Sequence, residues 1–151
     1  MIFVATDHAG FELKKKIGDF LKDQGYETID LGPEKLDPTD DYPDFGFLLA
    51  QRVAAKPNSF GILLCRSGVG MSIVANKVKG IRAALCMQPK QAQKAREHNN
   101  ANVLVLAADF TGFEEMKGII RKFLETRFSG EERHRRRLEK IRKFEEEVQS
   151  D

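Results

Sequence analysis

Short apolar runs of strand length alternate along the chain with segments whose apolar residues return every three or four positions. The runs cover Ile2–Thr6, residues 26–31, Phe60–Cys65, residues 83–86 and residues 102–107. Between the first two, Leu13, Ile17, Phe20 and Leu21 make one face of a helix that stops at Gly25. Helical patterns also fit 44–55, 71–78 and 89–98, and Met116, Ile119, Ile120, Phe123 and Leu124 form a further amphipathic stripe. Strands that are apolar at nearly every position are buried on both faces. Strict alternation of such strands with helices therefore predicts a parallel sheet of five strands with helices on each side. Ligands of such sheets bind beyond the carboxyl ends of the strands. The segment 131–149 breaks the pattern, being highly charged with only the narrow apolar stripe Leu138, Ile141, Phe144 and Val148. A helix with so thin an apolar face is expected to pack on something other than the main core, and a second copy of the chain is the natural candidate.

Polar residues gather where the strands end. The first strand runs into Asp7-His8, the second into a loop rich in Asp and Pro that closes with Asp41-Tyr42-Pro43, and the third into Cys65-Arg66-Ser67-Gly68-Val69-Gly70-Met71. His98-Asn99-Asn100 ends the helix before the fifth strand and is expected on the same edge. A thiol that ends a buried strand, followed by a glycine-containing turn and a helix start, stands beside backbone N–H groups and the positive end of a helix. That arrangement can hold a negative oxygen next to a base. Each residue also has an ordinary explanation: a cysteine there is most often packing, Asp7 can cap a helix, Tyr42 can be core and His98 can lie on the surface. Joint placement on one edge is what favours a site.

Composition narrows the function classes. The 151 residues suit one domain, and 41% hydrophobic content supports a sizeable core. Lys and Arg (25) nearly balance Asp and Glu (23), and a net charge of +2 leaves no footprint for nucleic acid. The local excess Arg133-His134-Arg135-Arg136-Arg137 is either a solvated helix face or a seat for a phosphate-bearing partner. Two cysteines, Cys65 and Cys86, are too sparse for a disulfide scaffold and suit a reducing cytoplasm. No run approaches the ~20 apolar residues of a membrane span and no basic leader precedes the first strand, so an unprocessed, soluble, cytoplasmic protein is expected.

At these residues the chain resembles the type B ribose-5-phosphate isomerases and the related galactose-6-phosphate isomerase subunits. The matching stretches are Asp7-His8-Ala9-Gly10-Phe11, Asp41-Tyr42-Pro43, Gly61 to Leu64 with Cys65-x-Ser67-Gly68-x-Gly70, Ser72-Ile73-x-Ala75-Asn76-Lys77, Gly80-Ile81-Arg82-Ala83, His98-Asn99-x-Ala101-Asn102-Val103-Leu104 and Arg133-x-x-x-Arg137. They run in the family's order over nearly the whole chain. The resemblance implies a single three-layer, Rossmann-like α/β domain over residues 1–151, with a C-terminal helix that reaches a partner subunit. It implies an aldose–ketose isomerase of phosphorylated sugars, interconverting ribose 5-phosphate and ribulose 5-phosphate through an enediolate, with no metal or other cofactor.

The resemblance also implies roles. Cys65 would be the single base that moves a proton between adjacent carbons, its thiol made more acidic by the turn's N–H groups and the helix start. A second branch of the family places a Glu where Met71 stands; Met71 cannot act as a base, so this chain sides with the thiol branch. The N–H groups from Ser67 through Gly68, Val69 and Gly70 to Met71 would receive the enediolate oxygen. His98, helped by the Ser67 hydroxyl, would open the sugar ring. Asp7 and Tyr42 would hold sugar hydroxyls, Asn99 would sit near the reacting oxygens, and His8, Arg133 and Arg137 would hold the phosphate. Four positions apart on a helix, the two arginines share a face that an anion can bridge. In the family this pair comes from the neighbouring subunit, which implies a homodimer, with a tetramer left open, and a small sugar phosphate as ligand rather than nucleic acid or membrane.

Two positions depart from the family. Arg66 stands where the turn usually has Gly, and Asp109 stands where an Arg usually helps to bind phosphate. Arg66 is expected either to neutralise Asp109 or to take over part of the lost phosphate contact, across loops expected to lie one intervening strand apart. A hexose-6-phosphate isomerase acting on allose or galactose phosphate would share every catalytic residue. A sugar-phosphate-binding module without catalysis would need neither Cys65 nor His98, and a flavodoxin-like carrier would need a phosphate loop after the first strand.

Overall fold

The computed structural model describes residues 1–148; residue 149 of the expected 131–149 helix lies outside the described residues. Strands β1 (Ile2–Thr6), β2 (Thr28–Asp30), β3 (Phe60–Cys65), β4 (Ala83–Leu85) and β5 (Val103–Ala107) form a parallel sheet in the order β2-β1-β3-β5-β4. The connecting helices are α1 (Phe11–Asp23), α2 (Tyr42–Ala55), α3 (Val69–Ala75), α4 (Pro89–Asn99) and α5 (Phe113–Glu125), and α6 (Glu132–Val148) follows. Side chains alternate across a strand, so each central strand feeds both layers. Ile2, Val4, Ile62, Leu64, Leu104 and Leu106 pack with residues such as Ile17, Ala92, Met116 and Phe123 of α1, α4 and α5. Phe3, Ala5, Leu63, Cys65, Val103 and Val105 face the other way, onto Leu49 and Val53 of α2 and Met71 and Ala75 of α3. Burying each large apolar side chain is worth about 1.5–3 kcal/mol.

Element ends differ from expectation where local bonding decides them. β2 is an edge strand of three residues rather than six, since Tyr26 N–H bonds the Leu21 carbonyl at 3.0 Å and closes α1 instead. Pro43 in the first turn lets α2 begin at Tyr42. α3 begins earlier than expected because Gly68 adopts φ 76°, and it ends at Ala75 because Asn76 bonds Ser72 O at 3.0 Å and Ala83 N–H at 2.8 Å. The expected spacing of the loops after β3 and β5 is also corrected: the two strands are neighbours, with Cys65 beside Ala107. Alternation of strand and helix fixes that strands are parallel but leaves their lateral order open.

α6 lies along its own chain, where Glu145 Oε2 accepts from Gly80 N–H at 3.1 Å just before β4. Ile141, Phe144 and Val148 stay exposed.

Candidate active site

At the carboxyl edge the sheet brings together the ends of β1 and β3 and the loop before α2. Asp7 is buried and caps the single turn His8–Gly10, its Oδ1 accepting from Ala9 N–H at 3.0 Å. Burial holds its carboxyl above the usual 3.8, although that bond and the neighbouring His8 pull it down. His8 Nδ1 lies 2.6 Å from Asp40 Oδ1, and His8 N–H donates to the same oxygen at 3.0 Å. This bond raises the imidazole above its ordinary 6.5 against the opposing effect of burial. The side chain of Asp40 is only 10% exposed, and its Oδ2 is buried with no hydrogen-bond partner among the described residues. The loop is pinned by buried Lys14, whose Nζ donates to Asp30 Oδ1 and to the Pro33 carbonyl, each at 2.7 Å. Asp7, His8 and Asp40 bring one metal-ligand type of atom each within 4.8 Å of one another. His8 Nδ1 and Asp40 Oδ1 already share a short bond, and the pair can face a phosphate as an ion pair when the imidazole is protonated.

Cys65 ends β3, buried. In the turn that follows, Ser67 Oγ accepts from Val69 N–H at 3.3 Å, and the helical ladder starts with Ser72 N–H to Gly68 O at 3.0 Å. The amides of Gly70 and Met71 stand ahead of that ladder, where a helix leaves its donors to other partners. Tyr42 lies over this turn: a Cβ on Gly70 would come within 2.6 Å of its ring. Arg66 and Asp109 meet directly. Asp109 N–H donates to the Arg66 carbonyl at 2.9 Å, and their charged groups lie 3.7 Å apart on the surface.

His98 and Asn99 are on the opposite edge, contrary to the expectation of a shared one. α4 leaves the carboxyl end of β4 and runs back, so its last residues lie where β4 and β5 begin. The Asn99 carbonyl accepts from Arg82 Nε at 2.9 Å immediately before β4. Gly61 pairs with Val103 and Cys65 with Ala107, which puts about four strand steps, roughly 13 Å, between the two edges. The reason is topological: in a βα unit the helix returns the chain, so its end belongs to the edge opposite its start.

The amino edge has its own cluster. The His98 ring stacks on His134, centroids 4.4 Å apart and planes at 28°. His134 is buried, while Arg133 and Arg137 are exposed on the same helix, Arg133 Nε lying 3.0 Å from Glu131 Oε2. Cavities of about 430 and 500 Å³ open here beside α6, lined by Arg82, Ile141 and Glu145 among others; no residue of the Cys65 turn lines them. Two residues of these clusters escaped sequence reasoning. Asp40 precedes the recognised Asp41-Tyr42-Pro43 by one position in an Asp-rich loop, and His134 hides in a basic run that reads as a solvated face.

Comparison with known proteins gives consistent matches over nearly the full length. The sequence model of the Ribose/Galactose Isomerase family matches residues 2–141. A probable ribose-5-phosphate isomerase B of Mycoplasma pneumoniae is 50% identical over 146 residues, 97% of this chain and 95% of that protein. Ribose-5-phosphate isomerase B of Mycobacterium tuberculosis is 41% identical over 144 residues, 95% of this chain and 89% of that protein. Among solved structures, ribose-5-phosphate isomerase B of Mycoplasma genitalium with bound ribulose 5-phosphate superposes with a TM-score of 0.93 at 46% identity, covering 97% of this chain and 96% of that one.

Proposed function

Because the chain belongs to the ribose/galactose isomerase family, we propose that it interconverts ribose 5-phosphate and ribulose 5-phosphate, at a site that two copies of the chain complete together. The observation that carries the reading is the buried thiol of Cys65 at the carboxyl end of β3, bordered by the Gly68–Gly70 turn that Tyr42 covers and accompanied on β1's end by the His8–Asp40 pair.

In the open-chain aldose, the Cys65 thiolate takes the proton on C2. The electron pair forms the C1–C2 double bond and the C1 carbonyl becomes the enediolate oxygen, which the amides of Gly70 and Met71 receive. The thiol returns the proton to C1, the C2 hydroxyl gives its proton to the C1 oxygen, and the carbonyl now stands at C2. Before this, His98 moves the proton of the anomeric hydroxyl to the ring oxygen and so opens the ring. Asp7 and Tyr42 accept and donate to sugar hydroxyls, and Asp40 Oδ2 is an acceptor awaiting a donor. His8, charged through Asp40, attracts the phosphate together with Arg133 and Arg137.

One chain keeps Cys65 and His98 on opposite edges of a filled sheet, too far apart to serve one small molecule. A second copy that lays its amino edge, with His98, Asn99, Arg133 and Arg137, against the carboxyl edge of the first supplies what each half lacks. The protein then works as a single-domain homodimer, in the cytoplasm given its two free cysteines; no helix of the described residues is long and apolar enough to cross a membrane. Spectrophotometric assay of ribose, allose and galactose phosphates side by side tests the reading. Conversion of ribose 5-phosphate with the highest kcat/KM is expected. Preference for a hexose phosphate would move the assignment within the family, and binding without turnover would refute it.

A further inference from the structure

His134 is a buried ring inside the most basic stretch of the chain, and the reaction above does not use it. It is 3% exposed, and it lies over His98 at 4.4 Å. Ser129 Oγ stands 2.6 Å from its Nδ1 and accepts from Glu131 N–H at 3.2 Å. This short contact ties the ring to the segment just before α6, with donor and acceptor set by the His134 tautomer. The surroundings favour a neutral ring. Burial pushes its pKa below 6.5, His98 on α4 and Arg133 and Arg137 on α6 push the same way, and Glu131 opposes them. His98 by contrast has a side chain 38% exposed, with Glu97 Oε2 3.7 Å from its Nε2. A histidine ring turns about a broad terminal torsion and needs support to hold one orientation.

We propose that His134 is a positioning residue: its fixed ring is the platform that holds the His98 imidazole in the orientation that shuttles the ring-opening proton. The proposal rests on the assignment of ring opening to His98. Neutrality of the platform matters as well, since a second charge at stacking distance would oppose a protonated His98.

Ribulose 5-phosphate is an open-chain ketose, so exchange of its C1 hydrogen with solvent requires the base but no ring opening. The test therefore measures two reactions in each variant of the full-length protein: isomerisation starting from ribose 5-phosphate, and deuterium incorporation at C1 of ribulose 5-phosphate in heavy water. His134→Ala is expected to lower kcat for isomerisation at least ~10-fold with KM changed little, while exchange stays within about threefold of wild type. His134→Phe, which keeps a flat neutral ring, is expected to restore most of the lost kcat. Should the Ala variant fail to fold, Ser129→Ala loosens the same ring without removing it and is expected to lower kcat with exchange retained. Unchanged kcat in whichever variant folds, or isomerisation and exchange falling together with Phe no better than Ala, overturns the proposal. A wild-type protein that neither isomerises nor exchanges refutes the isomerase reading itself, so the two failures are distinct.

Discussion

In the proposed site His8 attracts phosphate only while its ring is protonated, and the 2.6 Å contact with Asp40 favours that form. Its folded pKa is raised above 6.5. The stability that the charge supplies, and with it the proposed attraction for phosphate, is therefore complete below 6.5 and fades as pH rises through the raised value. Asp40→Asn removes the largest cause of the shift. The alkaline limb of kcat/KM against pH is expected to move to lower pH, with kcat at saturation changed by less than about threefold; superimposable profiles would contradict the pairing. Arg66 and Asp109 act at the same scale. As an exposed pair they contribute only about 0–1 kcal/mol to stability, so a role for the pair, if it has one, has to be read in activity rather than in stability. A double-mutant cycle with Arg66→Gly and Asp109→Arg, read in kcat/KM, is expected to show coupling above about 0.5 kcal/mol. Effects that add within about 0.3–0.5 kcal/mol would leave two independent surface changes.

Among the elements, β1 and β3 were legible to the residue, because an unbroken apolar run followed by a polar residue is what a doubly covered strand requires. Strand order was not, because βα alternation carries no lateral information, and the contact between Arg66 and Asp109 came out direct where one strand had been expected between their loops. His98 went to the wrong edge through the same kind of gap: a local pattern marks a helix end but not the direction in which it points. Asp40 and His134 were hidden because a charged loop and a basic helix look solvated until packing buries one side chain in each. Helix starts turned on single residues, and Gly68 is the sharpest case. At φ 76°, with Leu85 Cδ1 only 2.4 Å from where a Cβ would stand, the turn under Cys65 strongly favours glycine. Gly68→Ala is expected to lower unfolding stability by about 1–3 kcal/mol in urea titrations, and an unchanged midpoint would show that the turn relaxes without cost.

At the scale of the whole molecule, both edges leave apolar residues uncovered: Val69 and Ile73 beside the Cys65 turn, Ile141, Phe144 and Val148 on α6. Exposed apolar residues of this kind suit a surface that a second copy covers. The proposed shared site makes a demand that a site within one chain does not. Cys65→Ala and His98→Asn should each, alone, lose roughly three orders of magnitude or more in kcat. A two-fold dimer of one Cys65→Ala chain and one His98→Asn chain contains one doubly defective site and one with both wild-type groups. After co-refolding of equal amounts, with mixed dimers verified by mass spectrometry, about a quarter of wild-type activity is expected to return. Verified mixed dimers that stay as inactive as their parents would contradict the account.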